Sequence, residues 1–454
     1  GESSPLKEFL PGFQPRAGQA WMAEAVAEAI AESGKLIVEA GTGTGKTFAY
    51  LLPALLSDRK TIISTGTKAL QDQLYHRDLP LIGKAVGRPV KTALLKGRAN
   101  YLCIHRLEST LQDSRGHGRD NLRWLLKVRD WSGLTERGDI SELGDVPEDA
   151  AIWPLVTSTT DNCLGQQCPD HSSCHLVEAR RAAQEADLVV INHHLLCADF
   201  ALKDEGFGEL LPMADAFIVD EAHQLPDTAN QFFGLSVSAR QLQELTRDTQ
   251  IAWRQAAMKQ SGIVEACEIL DRAVRDFRLL LGMNERRAPW KELQQDERLQ
   301  LALDTVIDSL QELASRLEVL EGSDKGLDSC LERCRQLHVI TERIASDEDS
   351  NKVRWYETTR LGFRLSQTPL DIADSFQQQM WRHAQAWIFT SATLAVGDDF
   401  SHFCTQLGLG EETRTEKWDS PFDYARQALW YVPKGLVEPR HDAFVERVVE
   451  AALP

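Results

Sequence analysis

The chain has 454 residues, of which 43% are hydrophobic and 26% are charged, and its formal net charge is −18. This length allows two to four domains with hydrophobic cores, and the composition excludes a disordered chain or a wholly basic protein that coats nucleic acid. No apolar stretch is long enough to span a bilayer and the N-terminus lacks a signal-peptide pattern, so we expect a cytoplasmic protein without membrane contact.

A phosphate-binding loop is predicted near the N-terminus. Residues 36–40 form an apolar run typical of a strand, and the apolar spacing after residue 47 is typical of a helix. Three glycines between them let the backbone turn tightly and direct successive N–H groups at one anion, next to the positive end of the helix. Lys46 would contact the terminal phosphates, and the Thr47 hydroxyl would bind Mg²⁺. An ordinary glycine-rich turn is the alternative. The predicted nucleotide-binding residues are Ala40 (in place of the usual glycine), Gly41, Thr42, Gly43, Thr44, Gly45, Lys46 and Thr47.

Elements on both sides of this loop indicate an α/β fold. Upstream, Arg16 and Gln19 lie on the first turn of a predicted alanine-rich helix, where the Gln19 amide offers adenine both a donor and an acceptor. Downstream, residues 61–65 predict a buried strand and residues 68–74 a further helix. This alternation is typical of a parallel sheet with helices on both faces, whose ligand-binding loops follow the carboxyl ends of the strands.

The alternation stops between residues 99 and 176, where the sequence contains Cys103, Cys163, Cys168 and Cys174. Four and five residues separate the last three of these cysteines. Because zinc sites favour closer pairs, the four thiols suit an iron–sulfur cluster at least as well as zinc, and four unrelated cysteines are the third possibility. Residues 91–129 carry nine Lys or Arg against three Asp or Glu, which indicates either a solvated helix face or a surface that contacts phosphates.

Paired carboxylates follow another predicted strand. Residues 216–219 are apolar and run directly into Asp220 and Glu221. Asp220 would hold the water shell of magnesium, and Glu221 would orient and deprotonate an attacking water, so the pair predicts a phosphoryl-transfer site. The strand predicted at 186–192 is followed by His193 and His194, which we interpret as structural residues rather than ligands.

The second half of the chain predicts an insertion and a return to the sheet. Residues 227–366 show a long polar helical pattern, and we interpret Cys267, Cys330 and Cys334 as core thiols of a helical domain. Residues 386–389 predict one more strand, and the hydroxyl-bearing residues that follow it would connect the carboxylate site to a molecule bound above it.

These motifs together resemble the XPD/DinG family of superfamily 2 DNA helicases. AGTGTGKT, DEAH and TSATL occur in the family's order, with a four-cysteine insert between the first two and a helical insert between the last two. A bacterial branch of the family is similar in the strings FQPRAGQ, ISTGTKALQDQL, LLKGRANYLC, DNCLGQQCPDHSSC, VVINHHLL and SPFDY. The resemblance covers nearly the whole chain.

The resemblance implies a RecA-like motor lobe of the P-loop NTPase class, interrupted by an iron–sulfur domain and a mostly helical arch domain. The implied boundaries are 1–98, 177–227 and 366–410 for the first motor lobe, 99–176 for the iron–sulfur domain, 228–365 for the arch, and 411–454 for the start of a second motor lobe. It also implies ATP-driven 5′-to-3′ translocation on single-stranded or forked DNA in repair or replication. The implied cofactors are ATP, Mg²⁺ and one 4Fe-4S cluster, and the sequence identifies no particular replication or repair protein as partner.

The resemblance also assigns roles by position. Phe13, Arg16 and Gln19 would frame the adenine. Lys46, Asp220 and Glu221 would be catalytic, and Thr47 and Asp220 would bind magnesium. The cluster ligands would be Cys103, Cys163, Cys168 and Cys174. His223, Ser391 and Thr393 would couple hydrolysis to DNA movement. Arg98 and Tyr101 would contact DNA, one by charge and one by stacking.

The sequence departs from the family's pattern at its end. Sixty residues follow Leu394, so we expect most of the second motor lobe, with its arginine finger, to be missing. Because such a finger commonly contributes ~10³ to 10⁵ in rate, we expect this chain to bind nucleotide but to hydrolyse it poorly. Two other functions remain open here: a redox-sensing or electron-transfer module that nucleotide regulates, and an NTPase stabilised by zinc.

Overall fold

A computed structural model describes residues 16–453, apart from 88, 113–118, 161, 205–209, 257–261, 283, 347–350 and 361. The strands of this part of the chain are β1 (Lys35–Ala40), β2 (Thr61–Thr65), β3 (Thr92–Leu94), β4 (Leu188–Asn192), β5 (Ala216–Asp220), β6 (Leu235–Ser238), β7 (Arg286–Pro289), β8 (Lys352–Thr358), β9 (Phe363–Pro369), β10 (Ala386–Ser391) and β11 (Arg414–Trp418).

The α-helices of the same part of the chain are α1 (Ala17–Glu32), α2 (Lys46–Leu56), α3 (Lys68–Gln73), α4 (Leu79–Val86), α5 (Ile104–Gln112), α6 (Arg119–Ser132), α7 (Trp153–Val156), α8 (His175–Glu185), α9 (His193–Asp204), α10 (Leu225–Phe232), α11 (Ala239–Gln255), α12 (Ile263–Leu280), α13 (Trp290–Gln294), α14 (Glu297–Glu318), α15 (Lys325–Ser346), α16 (Ala373–His383), α17 (Ser401–Leu407), α18 (Tyr424–Gln427) and α19 (Phe444–Ala452). A short π-helical segment, Leu74–Asp78, joins α3 to α4.

A parallel sheet organises the nucleotide-loop half of the molecule. Its seven strands lie in the order β11-β1-β10-β5-β2-β4-β3, and every neighbouring pair is parallel. The predicted α/β fold with a parallel sheet is therefore confirmed. The two outermost strands, β3 and β11, had no clear sequence signal, because β3 has three residues and β11 (RTEKW) is mostly charged, as edge strands often are.

Both faces of this sheet are covered, which explains why its central strands are almost continuously apolar. Alternate residues of one strand enter different cores: Leu36 and Val38 pack with α1 and α2, whereas Ile37 packs in the core that contains α9 and α16 residues. The register places Glu39 opposite Ser391 and Thr390 opposite Asp220. The carboxyl ends of β1, β10 and β5 therefore meet at one edge.

A separate core forms within residues 235–369. Its four-stranded antiparallel sheet has the order β6-β9-β8-β7, and α11, α12, α14 and α15 contribute most of the buried side chains. Cys267, Cys330 and Cys334 lie in this core, as predicted. The helical pattern did not predict these strands, since β7 and β8 carry as many charged as apolar residues and β6 pairs with β9, which lies more than 120 residues further along the chain.

The cysteine-rich stretch has a small core of its own, made by α5, α6, α7 and the loops between them.

In the described part of the chain, no helix has both the length and the apolar character that crossing a membrane would need.

Candidate functional site

The phosphate loop connects β1 to α2 at the carboxyl edge of the parallel sheet. Gly43 and Gly45 have φ angles of 83° and 84°, in the left-handed region that glycine adopts without a steric cost. Gly45 directly precedes α2, so the helix begins with Lys46 and presents its N-terminus to the loop. Lys46 Nζ donates to the Ala40 carbonyl at 3.0 Å, and Thr44 Oγ1 donates to the Gly41 carbonyl at 2.8 Å.

Asp220 ends β5 beside this loop, and burial dominates its chemistry. Burial raises the pKa of its carboxyl to about 6; the nearby Glu221 adds to the rise, and a hydrogen bond from Tyr50 opposes it. Tyr50 Oη donates to Asp220 Oδ2 at 2.9 Å, and Thr47 interacts with the same Tyr50 hydroxyl. The other oxygen, Oδ1, is buried and has no hydrogen-bond partner within the described residues. A buried, unpartnered carboxylate oxygen next to Thr47 fits a Mg²⁺ ion or one of its waters.

Glu221, His223 and Ser391 contact one another at the ends of β5 and β10. His223 Nδ1 lies 2.8 Å from Ser391 Oγ and 3.4 Å from Glu221 Oε2, and Ser391 Oγ lies 3.5 Å from the same carboxylate oxygen. Glu221 has a φ of 54°, a left-handed conformation that costs a non-glycine residue free energy and is concentrated at functional sites. Thr393 is exposed and reaches this group through its backbone N–H, which lies 3.4 Å from Ser391 Oγ.

Two of the three proposed adenine-binding residues lie in the part of the chain that the structure describes. Gln19 Nε2 donates to the Gly45 carbonyl at 3.1 Å, so Gln19 lies directly against the phosphate loop. Arg16 precedes α1 and is exposed. Phe13 lies outside the described residues.

Sequence reasoning missed two residues that build the site. Tyr50, on α2, donates to Asp220, and nothing in the sequence indicates that contact across 170 residues. Glu39 Oε2 accepts hydrogen bonds from the backbone N–H groups of Leu394 and Ala395, at 2.5 and 2.7 Å, and so fixes the segment after β10. A glutamate inside the otherwise apolar run 36–40 was the available signal for Glu39.

The segment after β11, which contains the string SPFDY, covers the phosphate loop. Ser420 Oγ donates to the Thr42 carbonyl at 2.7 Å, and the Tyr424 hydroxyl lies 2.7 Å from Thr42 Oγ1. A Cβ added to Gly43 would lie 2.3 Å from the Phe422 ring. The loop therefore has aromatic neighbours on its outer side.

The four predicted cluster cysteines line one cavity of ≈ 380 Å³, together with Arg98, Tyr101 and Arg180 among others. Burial raises the pKa of the Cys103 thiol to about 11; a backbone hydrogen bond and Arg106 oppose this rise, and the thiols of Cys163 and Cys168 add to it. The structure thus brings together residues that are up to 71 positions apart.

The cysteine sulfurs are not gathered as closely as the ligands of a single zinc ion would be. A single zinc ion with Zn–S bonds of about 2.3 Å would hold its sulfurs about 4 Å apart. No three of the four cysteine sulfurs lie within 4.8 Å of one another; among the described residues, only His105, Cys168 and Asp170 form such a close set. Four thiols that line one cavity provide the donor type that an iron–sulfur cluster needs.

The two residues expected to contact DNA have different surroundings. Arg98 begins a short 3-10 turn at the rim of the cysteine cavity. Tyr101 is only 5% exposed, and its hydroxyl accepts a hydrogen bond from the Lys96 backbone N–H at 3.1 Å. This placement does not favour base stacking by Tyr101, because its ring is covered by protein.

Comparison with known proteins gave consistent matches. Residues 22–109 match a family model described as DEAD/DEAH box helicase. The chain is 44% identical over 450 residues to the ATP-dependent DNA helicase YoaA of Haemophilus influenzae. The alignment covers 99% of this chain and 70% of the relative. It is 46% identical over 431 residues to YoaA of Escherichia coli. That alignment covers 95% of this chain and 68% of the relative.

Two further matches have lower sequence identity. The ATP-dependent DNA helicase DinG of Photobacterium profundum is 29% identical over 511 residues, covering 98% of this chain and 72% of that protein. A solved structure titled XPD_Helicase matches 89% of this chain and 62% of its own, with 16% identity and a TM-score of 0.45.

Proposed function

Because the chain belongs to the XPD/DinG family of DNA helicases, we propose that it uses ATP to move along DNA. Its parallel-sheet half would act as a RecA-like motor lobe. The observation that carries this proposal is the meeting of the phosphate loop, Asp220 and Glu221 at one edge of the sheet, where a buried Asp220 oxygen has no partner among the described residues.

Each residue of this edge would have a distinct task. The loop N–H groups and Lys46 would bind the phosphates, and Thr47 and Asp220 would hold magnesium, which when bound neutralises charge that develops on the phosphates. Tyr50 would keep the Asp220 carboxylate oriented by its hydrogen bond. Glu221 would orient the attacking water and accept its proton. Gln19 would fix the loop, and it would frame the adenine with Phe13 and Arg16.

Coupling to DNA would begin at the contact of His223 with Ser391. A change in what Glu221 binds would alter the position of Ser391 directly, because the side chains of Glu221, His223 and Ser391 lie within 3.5 Å of one another. Ser391 ends β10, and Thr393 follows in the segment that Glu39 fixes. We propose that movement of this segment drives 5′-to-3′ translocation on single-stranded or forked DNA, in repair or replication.

We further propose that Cys103, Cys163, Cys168 and Cys174 hold one 4Fe-4S cluster within an inserted domain at residues 99–176. The four thiols that line one cavity, without any three of them forming a close set, support this assignment. The antiparallel sheet and its helices would be the arch, which would run to the end of β9 at Pro369 rather than to residue 365, because β9 belongs to that sheet. The motor lobe would then comprise residues 1–98, 177–227 and 370–418, because β11 pairs with β1 in its parallel sheet, and a second lobe would start after β11 rather than at residue 411.

Nucleotide binding and hydrolysis test this proposal with three substitutions. Lys46→Ala is expected to weaken binding of a fluorescent ATP analogue with Mg²⁺ at least about tenfold, because it removes a charge-assisted contact to phosphate. Glu221→Gln should leave that affinity nearly unchanged and lower DNA-stimulated hydrolysis by about 10² or more. Lys291→Ala, an exposed lysine on α13, is the matched control.

Analogue binding that is indifferent to Lys46→Ala would contradict the nucleotide site. The expectation of slow hydrolysis is tested in the same assay. Strong DNA-stimulated hydrolysis by residues 1–454, abolished by Lys46→Ala, would show that expectation to be wrong.

A further inference from the structure

A second polar cavity lies between the cysteine-bearing insert and the helical insert, away from the phosphate loop. Its volume is ≈ 520 Å³, and α5, α11 and α15 contribute many of its walls. Four arginines line it, and among the described residues Asp248 is the one carboxylate in its lining. The arginines are Arg106 on α5, Arg247 and Arg254 on α11, and Arg333 on α15. The lining is therefore strongly positive within a chain whose net charge is −18.

Asp248 is shared by three of these arginines. Its Oδ2 accepts from Arg106 Nη1 at 3.3 Å and from Arg333 Nη1 at 2.9 Å, while its Oδ1 lies 3.9 Å from Arg247 Nε. One carboxylate thus bridges α5 of one insert to α15 of the other. A carboxylate has about four acceptor positions on two oxygens, so it cannot satisfy three guanidinium groups fully.

Three of the arginines that line the cavity each carry one buried N–H group without a partner among the described residues. Arg106 Nε, Arg247 Nη2 and Arg333 Nε are buried and have no hydrogen-bond partner in the described part of the chain. The Arg333 side chain is only 3% exposed. Burial lowers the pKa of Arg247; the carboxylates of Asp248 and Glu244 oppose that shift, and the charges of Arg106 and Arg333 add to it. Buried N–H groups of like-charged neighbours are costly unless an acceptor satisfies them.

We propose that this cavity binds a phosphate group at the junction of the two inserts. Guanidinium groups match phosphate oxygens in geometry and charge, and the three arginines that each carry one buried donor without a partner among the described residues all line this cavity. Bound phosphate would accept hydrogen bonds from the guanidinium groups that Asp248 satisfies only in part, and it would hold α5 against α11 and α15. Among the described groups, Arg106, Arg247 and Arg333 share the carboxylate of Asp248, and Glu244 is the further negative charge near Arg247, so positive charge exceeds negative charge in this cluster.

The phosphate has two possible sources. It is either free, as inorganic phosphate or the phosphate of a nucleotide, or it belongs to the backbone of a DNA strand. The DNA source rests on the proposed helicase function, whereas the free source does not. The experiment therefore measures both in a Lys46→Ala background, where the phosphate loop no longer competes for the probe.

The first measurement titrates inorganic phosphate by calorimetry. Arg247→Gln should weaken phosphate binding about tenfold, because it removes one charge-assisted donor. Arg247→Lys keeps the charge and should lose less. Asp248→Asn should tighten binding, since it removes the internal carboxylate that competes for the same donors, whereas in a merely structural cluster it would only loosen the junction. Arg343→Gln, an exposed arginine on α15, is the matched control and should change nothing.

The second measurement follows an oligo-dT strand at several salt concentrations. If the phosphate belongs to DNA, Arg247→Gln should lower the slope of log K against log[salt] by about 0.7, the value for one phosphate contact on a single strand. An unchanged slope with weakened inorganic phosphate binding identifies the free source.

Phosphate binding that is the same in Arg247→Gln and in Arg343→Gln would overturn the proposal. If Arg247→Gln fails to melt cooperatively, Arg254→Gln, at an exposed position of the same lining, replaces it with the same criteria. Either result leaves the nucleotide test at Lys46 untouched, so failure here is distinguishable from failure of the helicase proposal.

Discussion

Asp220 has to satisfy opposing requirements within one side chain. Its burial favours the protonated form and raises the pKa of the carboxyl to about 6, but binding of a divalent cation requires the ionised form. Tyr50 reduces the conflict by donating to one oxygen, and the other oxygen is left without a partner within the described residues. The residue is therefore unfavourable for folding until a cation arrives.

The first prediction concerns the stability of the metal-free protein. The protonated form is favoured in the fold, so the free energy of unfolding falls as pH rises from about 4 to above 6, where the folded protein must bury the charge. Asp220→Asn cannot ionise and should be more stable by up to about 3 kcal/mol at pH 7.5, with the gain vanishing near pH 4. Urea denaturation with EDTA at several pH values measures this.

The exposed Asp308→Asn on α14 is the control for that series. A gain for Asp220→Asn that does not depend on pH would contradict the explanation by burial. With Mg²⁺ and nucleotide present the order should reverse, because the substitution removes a ligand that the ionised protein offers above pH 6.

At the scale of elements, the site depends on how neighbouring strands end. β1, β10 and β5 finish at the same edge, and Glu39 fixes the chain where it leaves β10. The phosphate loop and the paired carboxylates were predictable because each is a local pattern of spacing and residue type. Tyr50 and Glu39 act across 170 and 355 residues, so their contacts become visible only when the strand order is known.

The second prediction addresses Glu39. Glu39→Gln keeps the shape of the side chain but weakens two hydrogen bonds from backbone N–H groups and the contact with Lys417 at 3.6 Å. We expect a loss of about 1–2 kcal/mol in the free energy of unfolding and faster hydrogen exchange of the Leu394 and Ala395 amides. The exposed Glu24→Gln on α1 serves as control, and equal exchange in both variants would argue against this role.

The third prediction links the phosphate loop to the segment after β11. Gly43→Ala should cost about 1–2 kcal/mol for the left-handed backbone, plus the overlap with the Phe422 ring at 2.3 Å. Adding Phe422→Ala should recover the second part and leave the first. A double-mutant cycle on unfolding free energy tests this, and strictly additive effects would mean that the ring does not lie against the loop in solution.

At the scale of the whole molecule, the two sheets and the arginine-lined cavity differ in how far the sequence could predict them. The parallel sheet followed from strand–helix alternation and ligand loops. The antiparallel sheet of residues 235–369 could not be predicted from such a pattern. β6 pairs with β9 across a stretch of more than 100 residues, and the strands of this sheet are short and polar. The arginine-lined cavity was invisible for the same reason, since α5 and α15 approach each other only in the folded chain.

The fourth prediction concerns the cysteine cavity, which joins a small core to the rest of the molecule. Protein purified without oxygen should contain iron and sulfide and absorb visible light, and Cys168→Ser should lose both because a thiolate ligand is replaced. Cys404→Ser, a partly buried cysteine outside the cavity, should keep them. Zinc without iron would favour the zinc-stabilised NTPase instead.

The same variant separates a structural cluster from a redox one. The core around α5, α6 and α7 is small, so a cluster that ties Cys103 to Cys163, Cys168 and Cys174 would supply much of its stability. Cys168→Ser should then lower the melting temperature of this chain and DNA unwinding by a longer chain that carries both motor lobes, whereas Cys404→Ser should lower neither. Loss of visible absorption with unwinding intact would instead support the redox-sensing module, because the motor would then operate without the cluster.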